Sequence, residues 1–304
     1  TETAFMVGEV LETLDGLSEP WFMHVSILRP HPPFVVPAPY HDRHDPLEVP
    51  KPLPPSESNH PFVNLLPSWG FTRAPESEID CRQLRATYYG MVEEVDTQIG
   101  RLLDGLETAG CAEQTVVAVT SDHGEMLGDH DLVSKFGFYD QAFHIPLIIR
   151  YPALAGPTGI VVEHFTENID LMPTLLELAG LPLPEQCQGA SVRPFLEGGT
   201  PANWREFVHW EFDFRVFAQS AGLPLAECHL AVCRDQIGKL VHFAGMPDLF
   251  IDLLSDPEEL YPLEDCPPES KYYSELTDWR PKSEESPLVN LLATPEGILT
   301  LRDP

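Results

Sequence analysis

Two runs of β-branched and apolar residues, T-V-V-A-V-T at 115–120 and I-P-L-I-I-R-Y at 145–151, restrict the architecture more than any other feature of the chain. Strands that are apolar on both faces belong in a parallel sheet with helices on either side. The helices can be read from the same sequence. Leu84, Tyr88, Met91, Val95, Ile99, Leu102 and Leu106 follow the three-four spacing of one helix face between residues 82 and 107, with Gly110 as the stop. Val7, Val10, Leu11 and Leu14 predict an amphipathic helix ending near Gly16, and Asp170 is expected to cap another that runs to Ala179. Pro20 introduces an apolar run over 21–28 that reads as a further buried strand. The expected class is therefore α/β, a sheet sandwiched by helices.

From Arg29 to about Pro75 proline is too dense for regular helix or central strand, so this stretch is expected to be a long extended surface excursion of the binding or lid type. After Trp204 the texture changes to short strands over 207–212, 229–234, 240–243 and 249–253, separated by Gly and Pro turns, which predicts a small antiparallel sheet. The rest is rich in Pro and Glu, with one short helical candidate near 286–292. The expected division is an α/β core over 1–203, an antiparallel β subdomain over 204–265 and a peripheral arm over 266–304.

Charge narrows the partners. The 304 residues include 48 acidic and 18 basic ones, a formal charge of -30. The acids are spread along the chain, which disfavours general electrostatic binding to nucleic acid or to an anionic membrane. An anionic substrate needs a local cation cluster or a metal ion to reverse that potential. The cysteines Cys81, Cys111, Cys187, Cys228, Cys233 and Cys266 lack zinc spacing, and scattered free thiols fit a reducing, cytoplasmic setting. No apolar run is long enough to span a bilayer.

In an open α/β sheet, ligands sit beyond the carboxyl ends of the strands. One such end delivers Arg29 and His31; another delivers Ser121, Asp122, His123 and Gly124, where glycine lets the backbone turn directly after two candidate metal ligands. Asp122 and His123 can point at one divalent ion from an irregular turn, though two ligands do not hold a metal alone. Lys135, beyond the glycine-punctuated loop M-L-G-D-H-D-L-V-S-K, can fold back as a cation for charge building on a transferring group. His31, held between prolines, suits proton donation to a leaving group. Blander readings fit the same residues: a structural strand-end turn for Asp122 and His123, a surface lysine, and a polyproline loop with an incidental histidine. The acids Glu93, Glu94 and Asp96 on the long helix read as solvated or capping groups.

Eight stretches together resemble the sulfatase branch of the alkaline phosphatase superfamily, and most closely its phosphonate monoester hydrolase and phosphodiesterase group. They are F-M-H-V-S-I-L-R-P-H-P-P-F from Phe22, Y-Y-G-M-V-E-E-V-D from Tyr88, S-D-H-G-E-M-L-G-D-H from Ser121 and I-P-L-I-I-R-Y-P from Ile145. The others are I-D-L-M-P-T-L-L-E-L-A-G from Ile169, Q-G-A-S-V-R-P-F-L from Gln188, W-E-F-D-F-R from Trp210 and L-F-I-D-L-L-S-D-P-E-E-L from Leu249. The resemblance implies an alkaline-phosphatase-like sheet. It implies Asp122 and His123 as ligands of one divalent metal, calcium, manganese or magnesium, and His31 and Lys135 at the transferred group and leaving-group oxygen. Histidine at 123 leans towards the phosphonate monoester hydrolase group. The family's C-x-P-x-R or S-x-P-x-R, whose Cys or Ser becomes the formylglycine nucleophile, has no match here; Cys266 begins C-P-P-E-S, without the arginine. That nucleophile and at least one metal ligand are accordingly expected in residues outside this chain.

The expected function is metal-dependent hydrolysis of a small anionic ester, a sulfate ester, phosphonate monoester or phosphodiester, by the full-length form, with a homo-oligomer as the expected assembly. A non-catalytic relic that binds anions or a partner protein is the alternative. A two-metal phosphatase or phosphomutase relative would need further Asp and His motifs that are not evident at a suitable strand end.

Overall fold

The structure, a computed structural model, describes residues 1–264, 270–283, 291–294 and 297–300. The chain forms two compact units, Thr1–Pro55 with Leu66–Trp204 and Ser56–Leu65 with Arg205–Pro304. The helices are α1 (Glu2–Leu14), α2 (Pro61–Leu65), α3 (Glu78–Thr108), α4 (Asp140–Phe143), α5 (Leu171–Leu178), α6 (Arg193–Leu196), α7 (Ala218–Ala221) and α8 (Lys271–Ser283). The strands are β1 (Val117–Thr120), β2 (Leu147–Arg150), β3 (Val208–Asp213), β4 (His229–Arg234), β5 (Gly238–Phe243), β6 (Leu249–Asp252), β7 (Leu291–Thr294) and β8 (Gly297–Thr300). Among the described residues no helix is long and apolar enough to cross a membrane.

In the first unit the Thr1 hydroxyl caps α1 by accepting the Ala4 N–H at 3.1 Å. Val7 is fully buried as α1 packs on α3. The two helices meet so closely that a β-carbon on Gly105 would lie 2.1 Å from Leu11 Cδ2. Helix α3 ends at Gly110, whose φ of +71° suits glycine, with Cys111 N–H returning to Leu106 O at 3.1 Å. Its acids differ from expectation. Asp96 is exposed, but Glu94 is buried and accepts the Thr1 hydroxyl, and Glu93 receives Arg43.

The apolar runs form strands, but β1 and β2 pair antiparallel, Val117 opposite Arg150 and Thr120 opposite Leu147, not parallel as expected. The cause is the connection. Gly124 N–H bonds Ala142 O at 2.8 Å and Glu125 N–H bonds Gln141 O at 3.1 Å, so the intervening chain prolongs one long hairpin instead of crossing over. The expected strand over 21–28 has no ladder among the described residues; its side chains alternate between half-buried and exposed. Asp170 occupies the N-cap position of α5, as expected, but its side chain makes no cap hydrogen bond there. Its buried carboxylate instead accepts the N–H groups of Glu167 and Ala190, each at 2.8 Å.

In the second unit the expected antiparallel sheet is present as a meander in the order β3-β4-β5-β6. Its inner strands are buried on both faces, which hides any alternation in exposure. Ala231, Cys233 and Leu240 pack with Tyr272 and Leu276 of α8. Leu230 and Phe243 share the opposite face, where Phe62 stands 5.2 Å from Phe243 and 4.9 Å from Phe214, ring centre to ring centre. The proline-rich stretch is therefore not wholly a surface excursion: its residues 56–65 carry α2 and bury His60 and Phe62 in this unit. Helix α8 was also unexpected, since Pro281 and its charges mask the Tyr272, Leu276 and Trp279 face. Of the short helix anticipated near 286–292, residues 286–290 lie outside the described residues, as does Cys266, and Leu291 and Leu292 belong to β7.

Two turn aspartates fasten α8. Asp235 accepts Ile237 N–H and Gly238 N–H, each at 2.8 Å, Tyr272 Oη–H at 2.7 Å, and Lys271. Asp248 accepts Tyr273 Oη–H at 2.6 Å, Phe243 N–H at 3.0 Å and the His242 ring at 3.0 Å. Burial pushes both carboxyls up, yet these hydrogen bonds outweigh it and hold both below the usual carboxylate range. A depressed folded pKa gives stability that is full above the unfolded value of about 4 and lost as pH falls through the folded one. Trp279, stacked on His209 at 4.8 Å, reports on the helix. Its fluorescence is expected to show α8 loosening only below about pH 4; an acid titration flat down to pH 2 would contradict this.

Candidate active site

The turn after β1 places two donor atoms together. Asp122 Oδ2 lies 3.5 Å from His123 Nε2, and Asp122 Oδ1 accepts the His123 N–H at 3.0 Å. His123 Nδ1 stands 2.8 Å from Gly124 O; a carbonyl only accepts, so Nδ1 carries a hydrogen, and in a neutral ring Nε2 is then the nitrogen with the lone pair. A backbone acceptor behind the ring is the usual support for a metal-binding histidine. The Asp122 side chain is 86% exposed, a carboxylate open to a ligand. This donor pair fits a hard divalent cation, and Asp122 with His123 would hold one edge of it. Among the described residues no group of three or more His, Cys, Asp or Glu is gathered to hold a metal.

Gly124 has its reason in close approach, not in a left-handed turn. A β-carbon there would meet Gln141 O at 2.1 Å, inside the hairpin that returns the chain. Gly124→Ala is expected to destabilise the protein by about 1–3 kcal/mol, by the overpacking mechanism. A urea unfolding midpoint equal to that of the parent would show that the hairpin yields to the added methyl group.

The loop to Lys135 is held at both ends. Arg85, buried on α3, pairs with Asp129 and donates from Nε to Leu127 O at 2.9 Å, and Leu53 N–H also binds Asp129 at 2.7 Å. Buried His130 stacks on Tyr139 with ring centres 4.0 Å apart. Within the loop, Leu127, His130, Asp131 and Ser134 all take positive φ without being glycine, the kind of backbone strain that surrounding contacts must hold.

Lys135 Nζ then stands 3.3 Å from His31 Nε2 across 104 residues of sequence. His31 Nδ1 faces Pro32 O at 2.8 Å and so bears the ring hydrogen, which leaves Nε2 to accept from the ammonium. Arg29, on the same loop, donates to Pro33 O at 2.7 Å. Glu125 lies within electrostatic reach of both Lys135 and His123: burial pushes its carboxyl above the usual range, while the Ser134 and Leu127 N–H groups, Lys135 and His123 oppose the rise. Tyr88, edge-on to Phe34 at 6.2 Å, is pushed up to about 12 by burial and then by Glu125, and stays a neutral phenol.

The structure thus brings His31 to Lys135 and Asp122 to His123, with Glu125 electrically coupled to both pairs. Reading the sequence missed Glu125 and Asn168. Glu125 lies in the S-D-H-G-E stretch, but its role depends on a backbone contact nine residues away. Asn168 donates to Ser121 O at 3.0 Å and its Oδ1 lies 3.3 Å from the Thr120 hydroxyl, bracing the turn; no local signal marks it.

The sulfatase family model matches residues 2–181, more than half of the chain. The chain belongs to the sulfatase family. A second model, described as the C-terminal part of N-sulphoglucosamine sulphohydrolase, matches residues 128–280. Within the sulfatase family the chain is 36% identical to a multifunctional alkaline phosphatase superfamily protein of Trinickia caryophylli, over 99% of this chain and 63% of that protein. Among solved structures it is similar to the phosphonate monoester hydrolase of Agrobacterium radiobacter, with 36% identity and a TM-score of 0.81 over 100% of this chain and 65% of that one. The phosphonate monoester hydrolase of Silicibacter pomeroyi gives 33% identity and a TM-score of 0.83, again over 100% of this chain and 65% of that one. These likenesses make the fold alkaline-phosphatase-like, as expected. The chain spans about 63% of the length of the Trinickia relative. Sulfatase family members generally work with a divalent metal ion and a formylglycine side chain.

Proposed function

We propose that the protein, at its full length, is a metal-dependent hydrolase of sulfate esters, phosphonate monoesters or phosphodiesters. The observation that supports this reading best is the Lys135 Nζ to His31 Nε2 contact of 3.3 Å, in the same unit as the Asp122–His123 donor pair. Similarity to phosphonate monoester hydrolases over the whole of this chain adds support.

The residues suggest a division of labour. Asp122 and His123 would hold calcium, manganese or magnesium, which when bound supplies Lewis-acid polarisation of a non-bridging oxygen. Lys135 offers a compact positive charge to the oxygens of the transferred group, a local reversal of the chain's net charge of -30. A proton shared along the line from Lys135 Nζ to His31 Nε2 can pass to the leaving-group oxygen from either nitrogen. Pro32 O holds the His31 tautomer throughout. The formylglycine nucleophile is expected on residues other than these. The same negative charge disfavours nucleic acid, and a small anionic ester would be held against it only by these local cations.

The deciding experiment offers the full-length protein an aryl sulfate, a phenyl phosphonate monoester and a phosphodiester. At least one is expected to turn over, activity is expected to vanish with a chelator, and one of the three metals is expected to restore it. Turnover of none, with metal supplied and formylglycine verified, would remove the hydrolase reading.

A further inference from the structure

Glu125 is a half-buried carboxylate inside the site that the reaction proposed above leaves without a task. It follows the Asp122–His123 turn by two residues, yet its side chain reaches across the loop to accept the Ser134 N–H, and the Leu127 N–H as well. The backbone pairs Met126 N–H to Ser134 O at 2.9 Å and Gly128 N–H to Leu132 O at 2.7 Å close the neck of the same loop. Ser134 sits at φ +77°, a left-handed conformation that a residue with a β-carbon takes only when held. The next residue is Lys135, whose ammonium stands 3.3 Å from His31 Nε2. Arg85 grips the far part of the loop through Asp129 and Leu127. The near part, where the lysine emerges, is gripped by Glu125. One carboxylate therefore joins the turn bearing the metal-binding pair to the peptide that aims the cation.

We propose that Glu125 is a positioning residue: by holding the Ser134 peptide N–H to the Asp122–His123 turn, it sets the Lys135 ammonium beside His31. The contact stands on its own, while its kinetic consequence rests on the hydrolase reading.

The test uses the full-length protein and the variants Glu125→Ala and Glu125→Gln. Amide hydrogen exchange at Ser134 reads the bond directly and is expected to quicken about 10-fold or more in Glu125→Ala, as local opening becomes easier. Kinetics read the consequence on an ester with a nitrophenol leaving group and one with a phenol. Proton delivery matters most for the poorer leaving group, so Glu125→Ala is expected to lose about 10- to 100-fold more kcat on the phenyl ester than on the nitrophenyl ester. KM is expected to stay within about threefold. Glu125→Gln retains a carbonyl acceptor and is expected to recover most of the loss. Should Glu125→Ala fail to fold, Glu125→Asp, one methylene too short to reach Ser134, serves in its place. Unchanged Ser134 exchange, or equal losses on both esters, overturns the proposal. Failure of the parent protein on both esters sinks the hydrolase reading instead. In that event Ser134 exchange and a crystal structure of Glu125→Ala decide: Lys135 Nζ still beside His31 refutes the positioning role, and Nζ displaced supports it.

Discussion

Lys135→Ala is expected to lower kcat by about 10²- to 10⁴-fold, the range for losing a general acid or a preorganised charge at the reacting group. The 3.3 Å contact makes a sharper statement about its partner. If the two nitrogens share one proton path, His31→Ala removes much of the same stabilisation, and the double variant should be little worse than the poorer single one. Losses that multiply would mean that the two side chains act independently. Lys135→Arg separates charge from shape: it keeps the cation but offers a planar fork where a compact ammonium fits, so it is expected to recover only a small part of the activity. Kinetics of these four variants on the best of the three esters checks each point.

Lys239→Met is expected to destabilise the protein by about 3–5 kcal/mol, because it removes the cation paired with a buried carboxylate. The Lys239 and Glu259 side chains pair with exposures of 0% and 2%, and Lys239 Nζ also lies 5.3 Å from the Trp210 ring centre. In such surroundings the pair's net contribution is small, since desolvation offsets attraction, but removing one member costs the other this attraction while its desolvation remains. Glu259→Gln in the Lys239→Met background is therefore expected to return part of the loss. Chemical denaturation of the two variants measures this. A single-variant cost below about 1 kcal/mol would mean that water reaches Glu259 in solution. The same pair accounts for a fully buried lysine at the second position of β5.

How much was legible in advance depends on the range of the interaction. Local signals read well: the α3 stripe and its Gly110 stop, the β-branched runs of β1 and β2, and the short strands of the meander. Each of these is decided by neighbours within a few residues, through side-chain periodicity or backbone sterics. Pairing direction did not read well, because a β-branched run states that a strand exists and is silent on what lies beside it. The loop from Gly124 to Ala142 made β1 and β2 antiparallel, through backbone hydrogen bonds that leave no compositional trace. Burial also misled. Glu94 on α3, Phe62 in the proline-rich stretch and α8 beyond it are all placed by partners distant in sequence.

The candidate site divides along the same line. Asp122, His123, Lys135 and His31 stand out as candidates by residue type, by strand-end position and by motifs that run in order through the chain. What set His31 Nε2 against Lys135 was tertiary, with Arg85 gripping a strained loop and Glu125 reaching the Ser134 peptide, while the two imidazole rings lean on the carbonyls of their next neighbours, Pro32 and Gly124. Sequence determined which functional groups are available, because that is covalent. Their distances depend on backbone carbonyls and N–H groups that every residue carries alike, so only the folded chain could decide them.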